Sequence, residues 1–134
     1  RFVGEHCVEV STRNGEIISE TRRISAVHII VATGSLPQRL PVPGADLPGV
    51  VTSDDVLEAG PVPQSIVVVG AGAVGVEFAY LFHELGARAT ILEAAPAIMP
   101  QEDPDIAHEM ERLLLSYGLN LATNAKLQNI GKHE

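Results

Sequence analysis

The chain has 134 residues, enough for one ordinary domain with a buried core. Hydrophobic residues make up 46% and charged residues 19%, which excludes a disordered chain, and the formal charge of −8 speaks against a nucleic-acid or anionic-membrane surface. The single cysteine, Cys7, excludes an intrachain disulfide and a cysteine-cluster metal site, and no apolar run reaches the roughly 18 residues of a membrane span.

Residues 1–35 read as strands. Val8 and Val10 alternate with polar neighbours, Asn14-Gly15 is a hairpin-turn dipeptide, and Ile17-Ile18 opens the return strand. Val27 to Ala32 is a nearly continuous apolar run, expected as a strand buried on both faces. Cys7 is expected as a buried strand thiol. Residues 36–63 form a connector, because Pro37, Pro41, Pro43 and Gly44 forbid regular structure. Within it, Thr52 and Asp55 fit a capping box that starts a short helix, with Gly60 as its stop.

Residues 64–134 alternate strand and helix. Ile66 to Val69 is a β-branched strand. From Ala73 to Leu85, Val74, Phe78, Leu81, Phe82 and Leu85 recur at helical spacing and predict one buried face, with Gly86 as the stop. Ala89 to Glu93 is the next strand. Asp103-Pro104 then caps a helix carrying Ile106, Met110, Leu113, Leu114 and Tyr117, which Gly118 ends before a strand at Leu119 to Thr123. This order predicts an α/β fold with a parallel sheet.

Gly70-Ala71-Gly72-Ala73-Val74-Gly75 is a G-x-G-x-x-G placed between a predicted strand and a predicted helix, the context its chemistry needs. Gly70 permits the tight turn, Gly72 leaves room for a diphosphate, and Gly75 lets helix and strand pack closely. The helix amides and dipole then attract the pyrophosphate. Glu93 ends the following strand about 18 residues after Gly75, where a carboxylate accepts hydrogen bonds from a ribose diol. It repels a 2′-phosphate, and Ala94 and Ala95 follow it rather than Arg, so the reading is NAD(H) over NADP(H). On this reading Glu93→Arg favours NADPH. Walker-type, zinc-protease and G-x-S-x-G signatures are missing, and the five histidines are scattered.

Ile30-Val31-Ala32-Thr33-Gly34-Ser35, the proline-rich linker, Thr52-Ser53-Asp54-Asp55, the run Gly70 to Glu77 and Glu93 together resemble the flavin-dependent pyridine nucleotide–disulfide oxidoreductases. Pro100-Gln101-Glu102-Asp103 makes the chain most similar to the dihydrolipoamide dehydrogenase branch. The resemblance implies that 1–35 is the β-rich tail of an FAD-binding domain, 36–63 its connector, and 64–134 an incomplete Rossmann-like NAD-binding domain. It implies FAD beside Thr33, Gly34 and Ser35, and NAD along Gly70, Ala71, Gly72, Ala73, Val74, Gly75, Val76, Glu77 and Glu93. Glu77 matches a glutamate near flavin and nicotinamide, and Leu127 an apolar residue against the adenine. Ala73 stands where many members carry a bulkier gating side chain, so an open gate is expected.

The family's paired cysteines and the His-Glu pair of a partner subunit are not in this sequence, so no residue of this chain is assigned a catalytic role. The ends, Arg1-Phe2-Val3 and Asn129 to Glu134, read as cuts within a longer protein. That parent is expected to be a cytoplasmic, homodimeric flavoenzyme that passes electrons between NADH and a dithiol or disulfide and docks a lipoyl domain. The chain alone is expected to bind dinucleotide without turnover and to self-associate. The alternatives are a stand-alone regulatory module binding NAD(H), and a structural remnant that binds nothing.

Overall fold

A computed structural model describes residues 1–15, 17–58 and 60–132. They form two compact units, Arg1–Leu36 and Pro37–Glu134.

The first unit is an antiparallel sheet of β1 (Phe2–Gly4), β2 (Cys7–Asn14) and β3 (Ile17–Ser25), in that order. Asn14 pairs with Ile17, so Asn14 closes the ladder and Gly15 enters the loop at φ +66, a conformation natural to glycine. The second loop position, residue 16, lies outside the described residues. Glu9 faces Arg23 across the ladder and bonds to Arg23 at 3.3 Å and Arg1 at 3.0 Å. With both arginines exposed, such pairs are worth about 0–1 kcal/mol each.

Two expectations fail in this unit. Val27 to Ala32 forms no strand; Val27 is 77% and Ile30 90% exposed. A strand is stabilised by its neighbours, and no described strand pairs with this run, so hydrophobicity alone leaves it irregular. Cys7 is half-buried rather than buried, because β2 lies in a sheet whose strands expose most of their side chains.

In the second unit the connector carries α1 (Ser53–Leu57). Thr52 and Asp55 form the expected reciprocal capping box. Gly60 does not end this helix; Glu58 already caps it, its N–H bonded to the Asp55 carbonyl. The backbone and side-chain hydrogen bonds from Thr52 hold the Asp55 carboxyl below its ordinary pKa. Upstream, the connector is fastened to the end of the chain. The Ile130 N–H bonds to the Pro43 carbonyl at 2.9 Å, and a Cβ on Gly44 would come within 2.0 Å of the Ile130 carbonyl oxygen.

The rest is β4 (Ser65–Val69), α2 (Ala73–Glu84), β5 (Arg88–Leu92), α3 (Pro104–Tyr117) and β6 (Asn120–Ala122). The strands form a parallel sheet, ordered β4-β5-β6. Asp103 caps α3 with Pro104 in its first turn, and Gly118 ends it at φ +97. Val76 and Ala79 of α2 and Leu114 of α3 share one core with Ala89, Ile91, Ile98 and Leu119. Ile66 and Val68 pack against that core, while Val67 and Val69, on the other face of β4, are exposed.

The buried face of α2 differs from the predicted one. Val74, Leu81 and Leu85 are exposed, Phe78 and Phe82 half-buried, and Val76 and Ala79 buried. The cause is close approach to the turn before the helix. A Cβ on Gly75 would lie 1.9 Å from the Gly70 carbonyl oxygen, so the backbone contact at Gly75 rotates α2 to present small residues to the sheet. On α3, likewise, Leu114 is buried and Met110 and Leu113 half-buried, but Ile106 and Tyr117 are exposed. Tyr117 instead stacks obliquely on Tyr80 of α2, ring centres 5.6 Å apart.

Candidate functional site

The turn from β4 into α2 stands at the carboxyl end of the parallel sheet, where open α/β sheets take ligands. Gly70 adopts φ +101, and its N–H bonds to the Leu92 carbonyl at 2.8 Å, extending the β4–β5 ladder into the turn. A side chain is excluded there by conformation. At Gly75 it is excluded by the Gly70 carbonyl.

Gly72 is different. It is the N-cap of α2 at φ −71 and ψ 177, an extended conformation open to any residue, and a Cβ placed on it meets nothing within 4 Å. Neither conformation nor packing asks for glycine. Ser, Thr, Asp or Asn there would stabilise the helix, yet α2 has no side-chain cap and no acid in its first turn. The first amides and the positive end of the dipole are left facing open space at Gly72, Ala73 and Val74, all exposed. These features fit the diphosphate expected from the sequence. Val76 is buried in the core, so it shapes the helix and not the surface; Glu77 is exposed on the second turn.

Glu93 follows directly on β5 and is half-buried. Its carboxylate accepts the Ala71 N–H on Oε2 and the Ala95 N–H on Oε1, both at 2.7 Å. A carboxylate offers about four acceptor sites, so two remain for hydroxyl donors. The Glu93 backbone is held on both sides, its N–H by the Ala122 carbonyl at 2.9 Å and its carbonyl by the Ala125 N–H at 2.8 Å.

That second bond carries the chain past β6 and lays residues 125–129 beside the end of β5. Leu92, Ala125, Lys126, Leu127, Gln128 and Asn129 line a recess of about 280 Å³, with Leu127 half-buried in it. The structure thus gathers Gly70 to Gly75, Glu93 and the Leu127 recess around the ends of β4 and β5. Thr33, Gly34 and Ser35 belong to the first unit, where all three are exposed and Gly34 adopts φ +76.

Sequence reasoning missed the loop after Glu93. Its Met99 N–H bonds to the Ala71 carbonyl at 2.7 Å, with Met99 itself at φ +47, and Ile98 is fully buried. The available signal was an apolar pair, Ile98-Met99, inside an otherwise loop-like stretch. Among the described residues no cluster of His, Cys, Asp or Glu could hold a metal ion, and no helix is long and apolar enough to cross a membrane.

The comparisons with known proteins agree with one another. A dihydrolipoyl dehydrogenase of Bacillus subtilis (strain 168) is 40% identical over 120 residues, covering 90% of this chain and 25% of that protein. The probable pyridine nucleotide-disulfide oxidoreductase RclA of Escherichia coli (strain K12) is 34% identical over 134 residues, covering 99% of this chain and 29% of that protein. Among solved structures, the HOCl-induced flavoprotein disulfide reductase RclA from Escherichia coli matches with a TM-score of 0.73 at 32% identity, over 99% of this chain and 29% of that one. The chain therefore spans about a quarter of the length of the curated relatives it matches. The sequence profile of the pyridine nucleotide-disulphide oxidoreductases matches residues 1–134, and the chain belongs to that family.

Proposed function

We propose that the second unit binds the diphosphate of NAD(H) at the Gly70–Gly75 turn, within a longer flavoprotein that moves electrons between NADH and a dithiol or disulfide. The observation that carries this is Gly72: a glycine with ordinary φ and empty surroundings at the start of an uncapped helix. In this reading the amides at the start of α2 hold the diphosphate, the free acceptor sites of Glu93 take the ribose diol, and the Leu127 recess takes the adenine. Glu93 disfavours a 2′-phosphate by charge. Ala73, small and exposed, leaves the nicotinamide side of the turn ungated. Glu77 is one turn further, on the nicotinamide side.

The nicotinamide and an FAD held at Thr33, Gly34 and Ser35 supply the hydride and electron transfer; the residues of this chain bind and orient. The substrate assignment, a dihydrolipoamide-type dithiol, rests on the similarity to dihydrolipoyl dehydrogenases. The lipoyl domain, the homodimeric longer protein and its cytoplasmic setting are carried over from the family resemblance alone. On the same reading the chain alone shows no NADH-dependent dye reduction.

Calorimetric titration with NADH tests the proposal. The expected result is saturable binding that Gly72→Val abolishes while the fold, followed by circular dichroism, is kept. Absence of binding by the parent chain, or binding indifferent to Gly72→Val, overturns it.

A further inference from the structure

We propose that Glu93 is a positioning residue for the Gly70–Gly75 turn, so that turn geometry and dinucleotide preference depend on the same carboxylate. The proposal rests on the reading of that turn as a dinucleotide site.

Ala71 is fully buried, and a buried N–H needs an acceptor. Its acceptor is Glu93 Oε2 at 2.7 Å, while its carbonyl is taken by the Met99 N–H, also at 2.7 Å. The residue between the first two glycines is thus clamped at both polar atoms by the segment that follows β5. Glu93 Oε1 is engaged as well, by the Ala95 N–H, which closes the start of that segment on the same carboxylate. With its backbone bonded to Ala122 and Ala125, Glu93 is a fixed post between the end of the sheet and the turn.

The chemistry of replacement follows. Glutamine keeps one accepting oxygen, and its NH₂ group cannot accept, so it satisfies one of the two amides and not both. Arginine accepts nothing and strands the buried Ala71 N–H. The proposal adds a cost to the expectation that Glu93→Arg favours NADPH relative to NADH: the new cation arrives at a turn that has lost its support.

The test uses the chain labelled with ¹⁵N and ¹³C. In the unsubstituted protein, scalar couplings across the hydrogen bonds should link the Ala71 and Ala95 amide nitrogens to the Glu93 side-chain carboxyl carbon. In Glu93→Arg, the Ala71 amide should exchange with solvent about tenfold faster or more. In Glu93→Gln, one of the two amides should be released and the other kept. NADH and NADPH titrations of Glu93→Arg should both weaken, about tenfold or more.

Absence of the Ala71 coupling in the unsubstituted chain overturns the proposal, and that measurement stands even if the variants fail to fold. So does a Glu93→Arg variant that binds NADPH more tightly than the parent with Ala71 exchange unchanged. If the couplings are present and the parent binds neither nucleotide, the brace holds and the dinucleotide reading is what fails.

Discussion

Gly72 and Gly75 stand three residues apart in one motif and are glycine for unrelated reasons. At Gly75 the reason is internal: an added methyl collides with the Gly70 carbonyl oxygen. Gly75→Ala should cost about 1–3 kcal/mol, as overpacking does, and lower the urea midpoint. At Gly72 neither conformation nor packing gives a reason, and the proposed diphosphate supplies an external one. Gly72→Ala should cost about 0.5–1 kcal/mol, because alanine is a poorer N-cap than glycine, yet weaken NADH binding about tenfold or more. Chemical denaturation paired with calorimetry separates the two. Equal losses of stability at both sites would mean that Gly72 serves packing after all. The motif's spelling already gives the two glycines different duties, room for a diphosphate at Gly72 and close packing at Gly75. It does not reveal that the close contact at Gly75 is the Gly70 carbonyl oxygen, because that depends on what lies within van der Waals reach.

Among the elements, those closed by neighbouring residues were the most legible. The Thr52–Asp55 box and the Asp103 cap with Pro104 rest on bonds spanning two or three residues, so their spelling is enough. The run from Val27 to Ala32 was not legible, because a strand depends on its pairing partner. Nor was the buried face of α2, which a single backbone contact at Gly75 decides. The brace around Ala71 was hidden for the same reason: its partners, Glu93 and Met99, are distant in sequence.

The Thr52 cap gives a test at this scale. Thr52→Ala should open the first turn of α1 and speed exchange of the Val56 amide about five-fold at neutral pH. Asp55 adds a pH dependence of known sign. Its carboxyl titrates lower in the folded than in the unfolded chain, so its contribution is present above the ordinary carboxylate range and lost as pH falls through the folded value. The difference in exchange between Thr52→Ala and the parent should therefore shrink in acid. A difference independent of pH would detach Asp55 from the cap.

At the scale of the whole molecule, charge and apolar exposure oppose each other. The formal charge of −8 keeps copies apart, while β4, at an edge of its sheet, offers an uncharged strand with Val67 59% exposed. Parallel sheets are ordinarily covered on both faces, and here the core lies on one. Sedimentation should show concentration-dependent self-association that rises with salt as the charge is screened. Val67→Lys, which places a charge on the open strand, should shift the distribution to monomer. A distribution unmoved by Val67→Lys would assign the contact to another surface, with the irregular apolar stretch of the first unit the next to examine.

The fastening of Pro43 and Gly44 to Ile130 bears on how tightly a guest can be held. Residues 125–129 are pinned at one end by the carbonyl of Glu93 and at the other by the connector, so the wall that carries Leu127 has little room to wander. A wall restrained in advance loses less disorder when a nucleoside settles against it, and affinity rises without a single added contact.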